Sequence, residues 1–164
     1  MRILVIHFSF TSHVGKLAQD VAAELRTAGE VNCAVIEPQV QRPVWNWLAR
    51  SFVPGWRVPI RPVIADLTPY ELVCLGFPKW TFNCPPVTEY VRLMQCRPGQ
   101  ELALFMSYGG FDQERYLTNM VRKVNRRGAR VVATLAVQRR IVRQGGYAEE
   151  LKLFCRAALS SIKP

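Results

Sequence analysis

A three-layer α/β fold, with a five-stranded parallel sheet and helices on both faces, is what this chain predicts. Three observations lead there. Short apolar, β-rich runs alternate with amphipathic runs five times along the 164 residues. Each apolar run is followed by a helical segment, an order that calls for parallel pairing through right-handed crossovers. The run "LVCLG" at residues 72–76 carries no charge, as a strand covered on both faces requires.

Taken in order, residues 3–8 form the first β-rich run. From Val14 the apolar positions fall at Leu17, Ala18, Val21, Ala22, Leu25 and Ala28, one face of a helix that Gly29 stops. Residues 31–36 read as the second strand and 72–76 as the third. Pro85 and Pro86 open a helix carrying Val87, Val91 and Met94, because proline suits a first turn whose N–H groups lack partners. Residues 102–106 are the fourth strand. Leu117, Met120, Val121 and Val124 mark a helix closed by Gly128, and residues 131–137 are the fifth strand. Leu151, Cys155, Ala158, Leu159 and Ile162 mark the last helix. The whole of 1–164 reads as one domain without repeats or low-complexity tracts.

Residues 39–66 interrupt the pattern where the second crossover helix belongs. Pro43 can start a helix carrying Val44, Trp45, Leu48 and Phe52, which Pro54 and Gly55 end. Three of the four tryptophans lie in this stretch, with Arg42, Arg50, Arg57 and Arg61 and no acid before Asp66. Such a segment suits a crossover whose aromatics cap the core, a lid or a contact between two copies of the chain, or a membrane-interface patch.

Composition narrows the function. Nearly half the residues are hydrophobic, as in a globular chain, and no apolar run approaches the roughly 20 residues of a membrane span. The opening "MRILVIHF" is too short for a secretory signal, so a cytoplasmic location and reduced cysteines are expected. The five cysteines form no CxxC pair and there are only two histidines, so no metal site is expected. The net charge of +10 predicts anionic partners. The basic residues form no single stripe with stacking aromatics, which argues against nucleic acid. Arg139, Arg140 and Arg143 follow the fifth strand and are expected on the ligand edge; Lys123, Arg126, Arg127 and Arg130 are expected on the opposite one.

In an open parallel sheet a ligand lies beyond the carboxyl ends of the strands, where their order reverses. That brings together the loops "SFTSHV" (9–14), "FPKWTFNCPP" (77–86) and "SYGG" (107–110). Hydroxyls at the mouth of a helix suit a phosphate, which backbone N–H groups and the helix dipole hold without a lysine. They equally suit ordinary capping. The sequence is neither GxGxxG nor GxxxxGK[ST]. Trp80 and Phe82 offer either a core flap or a stacking surface, and Gly109 and Gly110 let backbone approach a ligand closely.

In order and content these segments resemble the flavodoxin-like family over essentially the whole chain. "ILVIHFSFTSHVGKLAQDVAAEL" resembles that family's first strand, phosphate loop and first helix. "YELVCLGFPKWTFNCPPVTEYV" and "LALFMSYGG" resemble its third and fourth strands with their ring-binding loops. The resemblance implies a doubly wound sheet of order 2-1-3-4-5 and a flavin mononucleotide (FMN) cofactor. By it Ser9, Phe10, Thr11, Ser12, His13 and Val14 wrap the phosphate. Pro78, Lys79, Trp80, Thr81, Phe82 and Asn83 flank the isoalloxazine, with Tyr108, Gly109 and Gly110 on its other side. Ser12 stands where the family has glycine and must accept or avoid a positive φ; Val14 stands where it has a hydroxyl.

Two functions follow. One is an FMN-binding redox protein, either an electron carrier or an NAD(P)H/quinone-type oxidoreductase, working with an acidic redox protein, NAD(P)H or a quinone. The other is a cofactor-free interaction module on the same fold. No residue is expected to act as a catalytic acid or base, since flavin supplies the electron chemistry. Cys84 at a helix start reads as a redox thiol or a packed structural one, the latter preferred; His7 reads as a strand-end residue.

Overall fold

The computed structural model describes residues 1–162. Five strands, β1 (Arg2–His7), β2 (Glu30–Val35), β3 (Leu72–Pro78), β4 (Gln100–Tyr108) and β5 (Ala129–Gln138), form one parallel sheet of order β2-β1-β3-β4-β5. The helices are α1 (His13–Leu25), α2 (Val44–Ser51), α3 (Pro85–Leu93), α4 (Gln113–Asn125), α5 (Arg139–Gln144) and α6 (Ala148–Ser160). The expected topology is therefore present.

Alternation along the central strands builds two cores. Ile3 and Val5 of β1, with Leu72 and Cys74 of β3, meet the apolar face of α1 and the buried Leu151, Phe154 and Cys155 of α6. Leu4, Ile6, Val73 and Leu75 point the other way, onto Val87, Tyr90 and Val91 of α3 and Tyr116, Met120 and Val124 of α4. Every residue of β3 is buried, which accounts for its uncharged sequence.

The strands run further than their apolar cores suggest. β4 begins at Gln100, fully buried, its amide donating to the Tyr70 carbonyl at 2.8 Å. A buried polar residue tied to backbone leaves no hydrophobic signal. α5 has no counterpart in the sequence reading, because its six residues hold only two apolar side chains. In the crossover, α2 starts after Pro43 as expected, and a bridge between Pro38 and Ile60 closes the segment that contains it.

Candidate functional site

Strand register decides which loops meet. His7 ends β1 beside Gly76 of β3, Pro78 of β3 lies beside Ser107 of β4, and Tyr108 of β4 lies beside Gln138 of β5. The segments 9–12, 79–84 and 109–112 and the start of α5 thus leave the same sheet edge from adjacent strands. Backbone bonds tie them down: Phe8 N–H donates to the Gly76 carbonyl at 3.0 Å and Lys79 N–H to the Ser107 carbonyl at 2.8 Å.

At the first corner, Ser9 Oγ accepts a hydrogen bond from Gly15 N–H at 3.2 Å. Thr11 Oγ1 lies 2.9 Å from His13 Nδ1. Ser12 adopts φ 57°, the left-handed conformation that its place in the loop demands, and its side chain makes no capping bond. Thr11 and Ser12 are exposed while Val14 is buried in the α1 core, so Val14 offers a ligand only its backbone N–H. Of the first-turn N–H groups, His13 donates to the Thr11 carbonyl at 2.7 Å and Gly15 to Ser9, so the exposed Thr11 and Ser12 hydroxyls and the Val14 N–H are the donors left for a phosphate.

The charge at this corner comes from far along the chain. Lys16, the cation nearest in sequence, is turned away: its ammonium donates to the Tyr147 hydroxyl at 2.8 Å and pairs with Asp20 at 3.0 Å, and these bonds raise its pKa. Arg139 and Arg143 of α5 take its place. The Arg139 guanidinium packs on Gly109, where a Cβ would come within 3.3 Å of its carbon. Partial burial first, then Arg143 and Arg139, hold the His13 imidazole below its usual pKa. Sequence placed α5's arginines on this edge, but not beside His13, because that proximity depends on the β4–β5 register.

The second loop carries aromatics. Trp80 packs edge-on to Phe8 at 5.6 Å and Phe10 at 6.3 Å, and its ring centroid lies 6.1 Å from that of Trp47 in α2. Phe82 is exposed and meets Phe52 edge-on at 6.1 Å. Thr81 and Asn83 turn their side chains inward. Thr81 Oγ1 accepts from Ser51, and the buried Asn83 amide donates to the Trp56 carbonyl at 2.6 Å and accepts from Thr88. These two residues bind the loop to the crossover. Pro78 is buried at the end of β3. The Lys79 ammonium lies 5.8 Å from the ring centre of Phe111. Cys84 is buried, and desolvation pushes its thiol pKa far up, which makes it a packed structural thiol.

In the third loop Tyr108 is half-buried against the core and Gly110 borders open space. Beside Thr81 and Phe82, a groove of about 330 Å3 runs along α4, lined by Arg115, Arg122, Lys123 and Arg126 together with one acid, Asp112. None of these four cations has an ion-pair partner among the described residues. No group of three or more His, Cys, Asp or Glu residues able to hold a metal occurs among them either.

The sheet order, the switch between β1 and β3 and the loops converging there decide the matter. The chain has a flavodoxin-like fold. It is similar over 98% of its length to the oxidised flavodoxin 2 of Bacillus cereus, with TM-score 0.69 and 15% identity, covering 99% of that chain. A Lactobacillus acidophilus flavoprotein in complex with FMN matches 87% of this chain and 97% of its own, with TM-score 0.61 and 12% identity. An uncharacterized protein of Archaeoglobus fulgidus is 37% identical over 137 residues, 84% of this chain and 86% of its own, so these two chains belong to one family. No protein-family model matches the sequence. At 12–15% identity the flavodoxin-like architecture is what the solved structures share with this chain.

Proposed function

We propose that this chain is an FMN-binding redox protein. The observation that carries this reading is the corner of Ser9, Thr11, Ser12 and the α1 N-terminus, flanked by Arg139 and Arg143 at the edge where the aromatic loop also ends. Its donor chemistry fits a dianionic phosphate: neutral hydroxyls and N–H groups orient the oxygens, and the two guanidinium groups supply charge that an all-neutral loop lacks. Trp80, Phe82 and Tyr108 are the groups available to a flat heterocycle. When bound, FMN supplies the one- and two-electron chemistry that no side chain here can perform.

The residues also set the direction of tuning. Arg139, Arg143 and Lys79 favour the accumulation of negative charge at this edge, which supports a less negative potential than acidic electron carriers have. The cationic groove along α4 supports an anionic donor, NAD(P)H or an acidic redox protein, delivering electrons from the Phe82 side; a quinone is the acceptor that the exposed aromatics would suit. A cytoplasmic location belongs to the same proposal.

The test is uptake of FMN by the purified protein, read as quenching of flavin fluorescence. Saturable 1:1 quenching, followed by a mediator-coupled titration giving a higher potential than acidic flavodoxins, is expected. Protein that stays colourless in excess FMN would leave the second reading, a cofactor-free interaction module. One observation favours that alternative: Trp80 is already packed by Phe8, Phe10 and Trp47.

A further inference from the structure

α2 is apolar on two sides, and the fold covers one of them. Trp47 and Ser51 are buried against the protein. At about 3.6 residues per turn, Val44, Leu48, Phe52 and Trp45 share a separate arc roughly 100° wide. Their exposures are 59%, 48%, 54% and 70%, and Val40, Val53 and Trp56 are exposed beside them in the chain. Single exposed apolar side chains are ordinary, but seven large ones within residues 40–56 mark a surface built for contact.

Charge says what covers it. No acid occurs between residues 38 and 65. Arg42, Arg50 and Arg57 flank the apolar stretch and have no ion-pair partner among the described residues. Arg50 is held by neutral groups, Asn46 Oδ1 at 2.8 Å and the Trp56 ring with its centre at 5.2 Å, so its charge stays uncompensated. Two acids outside the stretch are already engaged: Glu37 with Arg61 at 3.4 Å, and Glu89, which also feels Arg57, with Arg92 at 2.6 Å. Beyond Pro54 and Phe82, the groove along α4 adds Arg115, Arg122, Lys123 and Arg126 against the one acid Asp112. A second copy docked here about a twofold axis would set this cationic rim against itself. A bilayer carrying anionic lipids answers both features, apolar beneath its headgroups and negative at its surface.

We infer that the outward face of α2 seats this protein on an anionic lipid surface, with Trp45, Leu48 and Phe52 entering the headgroup boundary and the arginines meeting lipid phosphates. Tryptophan and arginine both suit that depth, the one with an apolar ring and a polar N–H, the other with an apolar stem beneath its charge. The face also adjoins the candidate flavin site. Phe52 meets Phe82 edge-on at 6.1 Å, and Phe82 N–H donates to the Ser51 carbonyl at 3.0 Å. Docking therefore brings the ring loop to the headgroups; that consequence rests on the FMN reading, and the docking itself does not.

The experiment is co-sedimentation of the full chain with vesicles of phosphatidylcholine, with and without phosphatidylglycerol, alongside sedimentation velocity without lipid. Saturable binding to the phosphatidylglycerol vesicles, weakened by salt, is expected. Trp45→Gln and Leu48→Gln alter exposed side chains, so the fold should tolerate them, and each should weaken vesicle binding by about tenfold or more. Arg42→Gln and Arg57→Gln should each weaken it about fivefold. Binding that falls in the arginine variants but is unchanged in Trp45→Gln and Leu48→Gln would be mere adsorption of a basic protein, and would overturn the inference. So would a parent protein that ignores the vesicles, whether it sediments as a monomer or as a dimer that Leu48→Gln dissociates. No step reads flavin, so a failure of docking and a failure of FMN uptake are distinguishable.

Discussion

Arg139→Gln and Arg143→Gln, compared side by side, test whether α5 supplies the charge of the phosphate corner. Arg139 is half-buried against Gly109, so a bond from it to the phosphate of the proposed FMN would be shielded from water. A charge-assisted hydrogen bond is worth roughly 1.5–3 kcal/mol, so its loss should weaken FMN binding by about tenfold or more. Arg143 is exposed, and an opposite charge at about 4 Å in a water-like dielectric contributes ~1 kcal/mol, which predicts a loss of about fivefold that shrinks as salt is added. The ranking of the two variants is thus part of the prediction. A second readout needs no flavin. Arg143 and Arg139 both hold the His13 pKa down, after burial, so each substitution should raise the midpoint of the His13 imidazole titration followed by proton NMR. Burial remains in both variants, so neither should restore the ordinary value. A His13 midpoint that neither variant moves would refute the placement. FMN affinities within twofold of the parent at low salt would refute the electrostatic role.

Three further outcomes are expected. In Gly76→Ala the new Cβ would lie 2.3 Å from two ring carbons of the fully buried Phe105 and 3.0 Å from His7 Cβ, so urea unfolding should show a loss of about 3 kcal/mol. Burial lowers the His7 pKa in the folded chain, so the unfolded chain binds more protons below about pH 6.5; stability should fall on acidification from there through the lowered folded pKa, and His7→Leu should flatten that slope. Of the thiols, exposed Cys33 should react promptly with a thiol reagent in the folded protein. Cys74, Cys84 and Cys155, whose pKa values burial raises (for Cys155 to about 12), should react only after denaturant is added.

The crossover shows where sequence reading stops. Pro43, Val44, Trp45, Leu48 and Phe52 announce a helix, and α2 is there. Its three tryptophans nevertheless have different fates: Trp47 is buried beside Trp80, while Trp45 and Trp56 are exposed. Periodicity says which residues share a face of a helix; it does not say against what that face is packed. The same limit applies to Asn83 and Thr81. Both stand in the ring loop by position, but their side chains are engaged by Trp56, Thr88 and Ser51, contacts that come from the path of the crossover.

What the sequence determined by itself is the architecture. Strand and helix periods of 2 and 3.6 are properties of neighbouring residues, so five apolar runs alternating with amphipathic ones lead to a parallel sheet without knowledge of any distant contact. The resemblance marked Ser12 as a position where φ is in question, and the structure decided it as left-handed, at 57°. The tertiary structure alone decided the electrostatics of the site: it turned Lys16 toward Asp20 and Tyr147, and brought Arg139 and Arg143 to His13. Coulomb interactions depend on distance in space, and here that distance is set by the strand register and the placement of α5, which no local pattern encodes.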